Sequence, residues 1–230
     1  MVLRTLTLLL TWTLLGAAPG LVELDSQLVV NRYTAALQLV EQPKNAVFAY
    51  SMSQAGFHNI EQTHRIYRSL NRQRDETLSI DGDPIHTTRV LTRTDRYAVT
   101  KVAPRLGDYA FLFLGTHRNG KHLDYVYATT ALGAPAFLVT EVTIDGVSYL
   151  PSLVRFRMTT AKTDATGSIA YARFSKYWMP TLATVSATVN KKATRERITW
   201  SGYSFPASLP PSTFFQPKPL AIPESNGAPP

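Results

Sequence analysis

From Val47 onward, apolar and polar residues alternate along the chain. Phe48, Tyr50 and Met52 take one set of positions; Ala49, Ser51 and Ser53 take the other. Such alternation predicts a half-buried strand, because successive side chains of an extended chain point to opposite faces. Ile60–Leu70 reads as a long polar strand with a turn from Asn71, and Thr77–Ile80 as another strand before the turn Asp81-Gly82-Asp83-Pro84. His86–Thr94 and Tyr97–Val102 alternate more weakly and leave room for a short helix. Tyr109–Leu114 is apolar on both sides, which predicts cover on both faces. Arg118-Asn119-Gly120-Lys121 predicts a hairpin, after which Leu123, Tyr125 and Tyr127 share a face. Phe137–Ile144 follows the small, turn-like Ala131–Pro135. Asp145-Gly146 is a hairpin dipeptide, and Tyr149–Thr159 is its return strand, with Val154, Phe156 and Met158 opposite Arg155 and Arg157. Thr163–Gly167 reads as a turn, then Ile169–Met179, Leu182–Val189 and Thr194–Phe205 as strands. Phe174 and Trp178 are expected on one face of the first of these, Ile198 and Trp200 on one face of the last.

One stretch changes the period. Across Leu24–Glu41, residues Val29, Tyr33, Ala36, Leu37 and Val40 fall at helical spacing. Asp25 or Ser26 can cap its start, and Pro43 ends it. The pattern as a whole predicts a mainly β (α+β) domain over residues 21–215: a curled antiparallel sheet of about eleven strands, with this helix packed into the concave face. A helix of this length spans roughly 27 Å. About ten strands spaced ~4.8 Å apart are nearly twice as wide. The uncovered apolar face must therefore curl on itself, meet another sheet or enclose a ligand. Phe48, Tyr50, Met52, Phe156, Met158, Phe174, Trp178 and Trp200 are the expected lining. A filled core and an open cavity both remain compatible with the pattern.

Composition narrows the setting. Met1–Arg4 is basic, Thr5–Leu15 apolar and Gly16-Ala17-Ala18 small, the layout of a secretory signal over residues 1–20. No later apolar run is long enough to span a bilayer. Export removes nucleic acid as a partner. The net charge of +8 then points to anionic headgroups, envelope polymers or an acidic partner surface. Residues 216–230 are Pro-rich and expected to be a disordered tail.

Catalytic motifs do not emerge. The chain has no cysteine, which excludes disulfides, thiolate metal sites and cysteine nucleophiles. It has no G-x-S-x-G, no H-E-x-x-H and no phosphate-binding glycine loop. His117 and His122 flank a turn with Asp124 close by, a spacing read as solvated histidines, so neither metal nor cofactor is expected. Asp75, Glu76, Asp81 and Glu141 offer carboxylates that a fold can pair, which keeps a secreted enzyme as an alternative. Basic residues gather in two groups: Arg65, Arg68, Arg72, Arg74, Arg89, Arg93 and Arg96, and then Lys191, Lys192, Arg195 and Arg197. They serve as solvated strand faces or as a rim for anionic headgroups.

A helix over Asp25–Glu41, the strand Val47–Gln54, VTIDGVSYLPSLVRF within Phe137–Met158, and SKYWMP followed by ATRERITWSGYSFPASLPPSTF stand in this order. From Leu24 to Phe215 the order resembles the LolA-like superfamily of outer-membrane lipoprotein carriers, with the receptor LolB and the envelope-stress regulator RseB. The resemblance implies an unclosed β-barrel with a helical lid over an apolar cavity for acyl chains. It implies a non-enzymatic periplasmic protein that binds lipid or an acylated lipoprotein and meets an inner- or outer-membrane protein, or a regulator of the RseB type. Carriers of the family close the lid with an arginine, a role the resemblance gives to Arg72 or Arg74. Ala103–Asp108 and Ala131–Pro135 are too short to form the family's middle lid helices.

Overall fold

The computed structural model describes residues 23–56, 59–161 and 163–215. The expected signal and Pro-rich tail lie outside the described residues. Helix α1 (Ser26–Leu39) precedes strands β1 (Asn45–Gly56), β2 (Ile60–Ser69), β3 (Arg72–Ile80) and β4 (Asp83–Thr92). A single turn of helix, α2 (Val99–Val102), leads to β5 (Tyr109–Asn119), β6 (His122–Ala131), β7 (Phe137–Ile144) and β8 (Pro151–Thr159). Strands β9 (Thr163–Phe174), β10 (Tyr177–Val189) and β11 (Lys192–Ser204) follow, and a 3₁₀ turn spans Pro211–Phe214.

All eleven strands form one antiparallel sheet in the order β4-β3-β2-β1-β11-β10-β9-β8-β7-β6-β5. The fold is therefore the expected unclosed sheet with an N-terminal helix. Most pairings join chain neighbours through short turns. At Asp81-Gly82 and Asn190-Lys191 both turn residues have positive φ, as a tight hairpin requires. The pairing of β1 with β11 is the long-range one. It leaves β4 and β5, consecutive in the chain, at opposite edges of the sheet. Residues 93–108 must cross from edge to edge, and they do so over the concave face. Val99, Val102 and Ala103 are buried there, Tyr171 donates its hydroxyl to Tyr97 O, and the Tyr97 ring meets Trp200 edge-on. Ten gaps of ~4.8 Å make roughly 48 Å, which these residues could span only if almost fully extended. The link instead holds a helical turn at Val99–Val102 with turns on either side, so the two edges come closer than that and the sheet curls. Bulges supply local bending: registers shift between Val47 and Ala49, Pro180 and Leu182, and Val139 and Glu141. Pro180, which lacks a donor, occupies one of these bulges, and its carbonyl accepts the Tyr203 hydroxyl.

Helix α1 starts where the Asp25 carboxylate accepts from the N–H of Gln27 and Leu28. Its buried stripe is Val29, Val30 and Tyr33, with Leu37 and Val40 packed at the margin. Tyrosines of β6 seat it. Tyr127 donates to Ser26 O at 2.8 Å, and Tyr125 accepts from Leu24 N at 3.1 Å. These contacts place α1 over the β5–β8 side of the sheet.

Several details depart from the periodic reading. Tyr109–Leu114 is not covered on both faces: β5 is an edge strand, with Leu112 and Leu114 exposed. Ile169–Met179 is not one strand, because Ser175 adopts positive φ and turns the chain between Phe174 and Tyr177. Thr163–Gly167 belongs to β9 and is not a turn. Asp145-Gly146 is not a two-residue hairpin: the Asp145 carboxylate accepts from Val147 N and Ser148 N, and the loop runs to Leu150. Asp83 and Pro84 start β4, so the turn before them is Asp81-Gly82 alone.

At Gly167 in β9, a Cβ would lie 2.4 Å from Thr184 O and 2.7 Å from Phe156 Cζ. Gly167→Ala is expected to cost about 1–3 kcal/mol through overpacking. A thermal melt followed by circular dichroism should show the midpoint falling by several degrees; an unchanged midpoint would contradict this close approach.

Candidate functional site

Helix α1 and residues 93–108 pack on the concave side over β5–β10, and a cleft opens over β1–β4 and β11. Its volume is about 390 Å³. One wall comes from the alternation in β1 and β11: Phe48, Tyr50 and Met52 stand beside Ile198 and Trp200, with Tyr50 opposite Trp200 and Met52 opposite Ile198. Ile66 continues this wall on β2, and Leu91 and Tyr97 close the far side.

The floor is polar, which the sequence did not reveal. His64 and Asp75 are buried and face each other, with Nδ1 2.8 Å from Oδ1. The other ring nitrogen lies 3.2 Å from Gln62 Oε1. The Tyr50 ring stacks on the imidazole at 4.4 Å, nearly parallel. Burial, and then the Asp75 charge, hold the Tyr50 hydroxyl well above the usual tyrosine range, so it stays protonated. Arg68 donates to Gln73 Oε1 and Asp95 Oδ1, and its guanidinium lies over the Phe48 ring. Burial lowers its pKa, while Asp95 opposes that shift. Arg96 and Glu196 stand at the rim. Arg93 ties the start of the crossing segment to its surroundings by donating to the carbonyls of Pro43, Lys44 and Leu70 and to Asp95.

Of the expected lining residues, Phe48, Tyr50, Met52 and Trp200 come together in this cleft. The other four sit elsewhere. Phe156 is buried and stacks on Phe137. Met158 is half-buried on β8, opposite Phe137. Trp178 donates its indole N–H to Pro151 O in a closed part of the core. Phe174, one strand away from Trp178, packs on Tyr203.

Arg72 and Arg74 occupy the alternate positions of β3, across the strand from Gln73 and Asp75, and so do not face the cleft. Arg72 donates to Phe214 O and lies over its ring; Arg74 donates to Thr213 O and pairs with Glu76. Together they hold the C-terminal 3₁₀ turn on the outer face. Arg68 is the cleft arginine. His64, Ile66 and Arg68 alternate on β2 as Gln73, Asp75 and Thr77 do on β3. That period was visible in the sequence, but a polar series reads as solvent-facing until the sheet's curvature is known.

Among the described residues no helix is long and apolar enough to cross a membrane. No family model matches the chain, and the search of curated proteins finds no match. Solved structures do match. A LolA superfamily protein from Nitrosomonas europaea is 10% identical and aligns with 84% of this chain and 99% of its own, at a TM-score of 0.41. A candidate outer membrane lipoprotein-sorting protein domain from Vibrio parahaemolyticus is 14% identical over 83% of this chain and 97% of its own, at 0.43. MucB, in complex with the periplasmic part of MucA, is 12% identical over 78% of this chain and 98% of its own, at 0.22.

Proposed function

We propose that the protein is a non-enzymatic envelope protein, exported to the periplasm, that holds a lipid or acylated ligand in the cleft over β1–β4 and β11. One observation carries this reading: a cleft walled by Phe48, Tyr50, Met52, Ile198 and Trp200, with Arg68 and Arg96 beside it, opens where the helix and the crossing segment do not cover the concave face. At about 30 Å³ per water-sized group, the cleft takes on the order of a dozen methylenes. That supports a single acyl chain rather than an anchor with several. A dozen methylenes at about 0.8 kcal/mol each give roughly 10 kcal/mol gross. Association costs of at least ~4 kcal/mol reduce this to affinities of tens of micromolar. Arg68 and Arg96 would meet the anionic headgroup.

Displacement of a fluorescent fatty acid tests the reading. Met52→Glu places a charge on the apolar wall and is expected to weaken binding at least about ten-fold while the circular dichroism spectrum is retained. Native mass spectrometry of protein purified from the periplasm should show a co-purified lipid. A protein that arrives empty and also fails to bind the probe would sink the proposal.

A further inference from the structure

Away from the cleft, the turn end of the β5–β6 hairpin meets the β7–β8 loop. His122 Nε2 lies 3.2 Å from Asp124 Oδ1 and 3.2 Å from Asp145 Oδ2. Neither contact has hydrogen-bond geometry: the Nε2 atom is buried and unpartnered. The three ligating atoms all lie within 4.8 Å of one another. We propose that His122, Asp124 and Asp145 form a binding site for a first-row divalent cation of the zinc type.

Three physical points carry the assignment. The first is spacing. Ligand atoms ~2.0–2.1 Å from a tetrahedral zinc are separated by roughly 3.3–3.4 Å, the edge of the tetrahedron. The two contacts of His122 match that edge. The second is charge. Two carboxylates converge on one imidazole nitrogen that makes no hydrogen bond, an arrangement that a bound cation completes. Asp124 is almost fully buried, which makes an uncompensated charge there costly. The third is orientation. Asp124 accepts from Asn119 Nδ2 and Gly146 N, and the Oδ1 of Asp145 accepts from Val147 N, Ser148 N and Ser148 Oγ. These bonds fix both carboxylates and leave Asp145 Oδ2 facing His122, as outer-shell partners do around a metal.

Gly146 keeps the loops together. A Cβ at this position would lie 1.8 Å from Leu123 O, so only glycine allows the approach. The nitrogen and oxygen donors suit zinc or a neighbouring divalent ion rather than a soft, thiolate-seeking one. Three protein ligands leave a fourth position for water. His117 stands at the rim, its Nε2 3.5 Å from Asp124 Oδ2.

Untagged protein stripped with chelator, then titrated with zinc by calorimetry and with cobalt by visible absorption, tests the site. One equivalent is expected to bind, giving the intense bands of tetrahedral cobalt and a higher melting temperature. Asp145→Asn keeps the Oδ1 acceptor that shapes the loop and removes the facing charge. It and His122→Gln should each weaken binding by about ten-fold or more, as should Gly146→Ala, which forces the loops apart. His86→Ala should change nothing. If Asp145→Asn fails to fold, His122→Gln on the half-exposed hairpin still decides the matter. Absence of stoichiometric binding would overturn the proposal, and an Nε2 of His122 protonated at neutral pH would then identify a plain ion pair. Full binding retained in both ligand variants would overturn it as well, placing the ion at other histidines. Fatty-acid binding in the cleft is a separate readout and does not bear on this result.

Discussion

Replacing Tyr33 with alanine is expected to lower the melting temperature by roughly 10 °C. Tyr33 is fully buried, meets Phe111 edge-on at 5.8 Å and donates its hydroxyl to Pro104 O at 2.6 Å. It joins three parts of the fold at one point: helix α1, edge strand β5 and the crossing segment. Deleting a buried aromatic ring costs about 3–5 kcal/mol in lost burial and cavity formation. At about 2–4 °C per kcal/mol for a domain of this size, that gives the stated shift. Tyr33→Phe separates the contributions. The ring stays, but the carbonyl of buried Pro104 loses its donor, at a cost of about 1–3 kcal/mol. Burial raises the tyrosine pKa well above its ordinary value, so the hydroxyl remains a donor through the physiological range and its contribution should not vary with pH there. Thermal melts of the two variants check both numbers. An alanine variant that melts with the wild type would mean that α1 does not anchor the concave face.

The second large effect is expected at Asp75. Its pairing with His64 is buried in the cleft floor, with side-chain exposures of 10% and 5%. Removing one member of a buried pair leaves the other without its partner, and about 3–5 kcal/mol is typical. Asp75→Ala should therefore destabilise by about 3 kcal/mol, the lower end, because His64 retains its Gln62 contact. Asp75→Asn, which keeps an acceptor, should cost about 1 kcal/mol. Urea unfolding measures both, and equal effects from the two substitutions would show that size rather than pairing matters at this position. The pair also supports Tyr50, whose ring rests on the imidazole. Fatty-acid affinity should therefore fall in Asp75→Ala even at temperatures where the protein is folded.

What the comparison of sequence and structure teaches is best seen in particular strands. The alternation of Phe48, Tyr50 and Met52 on β1 and of Ile198 and Trp200 on β11 told which side chains share a face, and the structure puts all five in the cleft. The helical stripe through Val29 and Tyr33 was equally legible. Such patterns are local, and the sterics of an extended or helical chain fix them within a few residues. Phe174 and Trp178 show the limit. Their spacing fits one strand, but Ser175 turns the chain between them, and a Ser-Lys turn has no distinctive residue to announce it. Arg72 and Arg74 show another: their early-strand position did not say which face of β3 turns inward.

The same division runs through the whole protein. By itself the sequence determined a mainly β chain with one amphipathic helix, too narrow to cover the apolar face of the strands. Its periodicities are properties of neighbouring residues, so no partner is needed to read them. Tertiary structure alone decided the rest. Pairing β1 with β11 sends β4 and β5 to opposite edges and forces residues 93–108 across the concave face, beside the cleft over β1–β4 and β11. It also buries the polar floor of His64 and Asp75 and brings Asp145 onto His122 and Asp124 from a separate loop. These are contacts between segments whose spacing along the chain carries no information about their meeting; curvature and long-range pairing set them, and neither has a local signature.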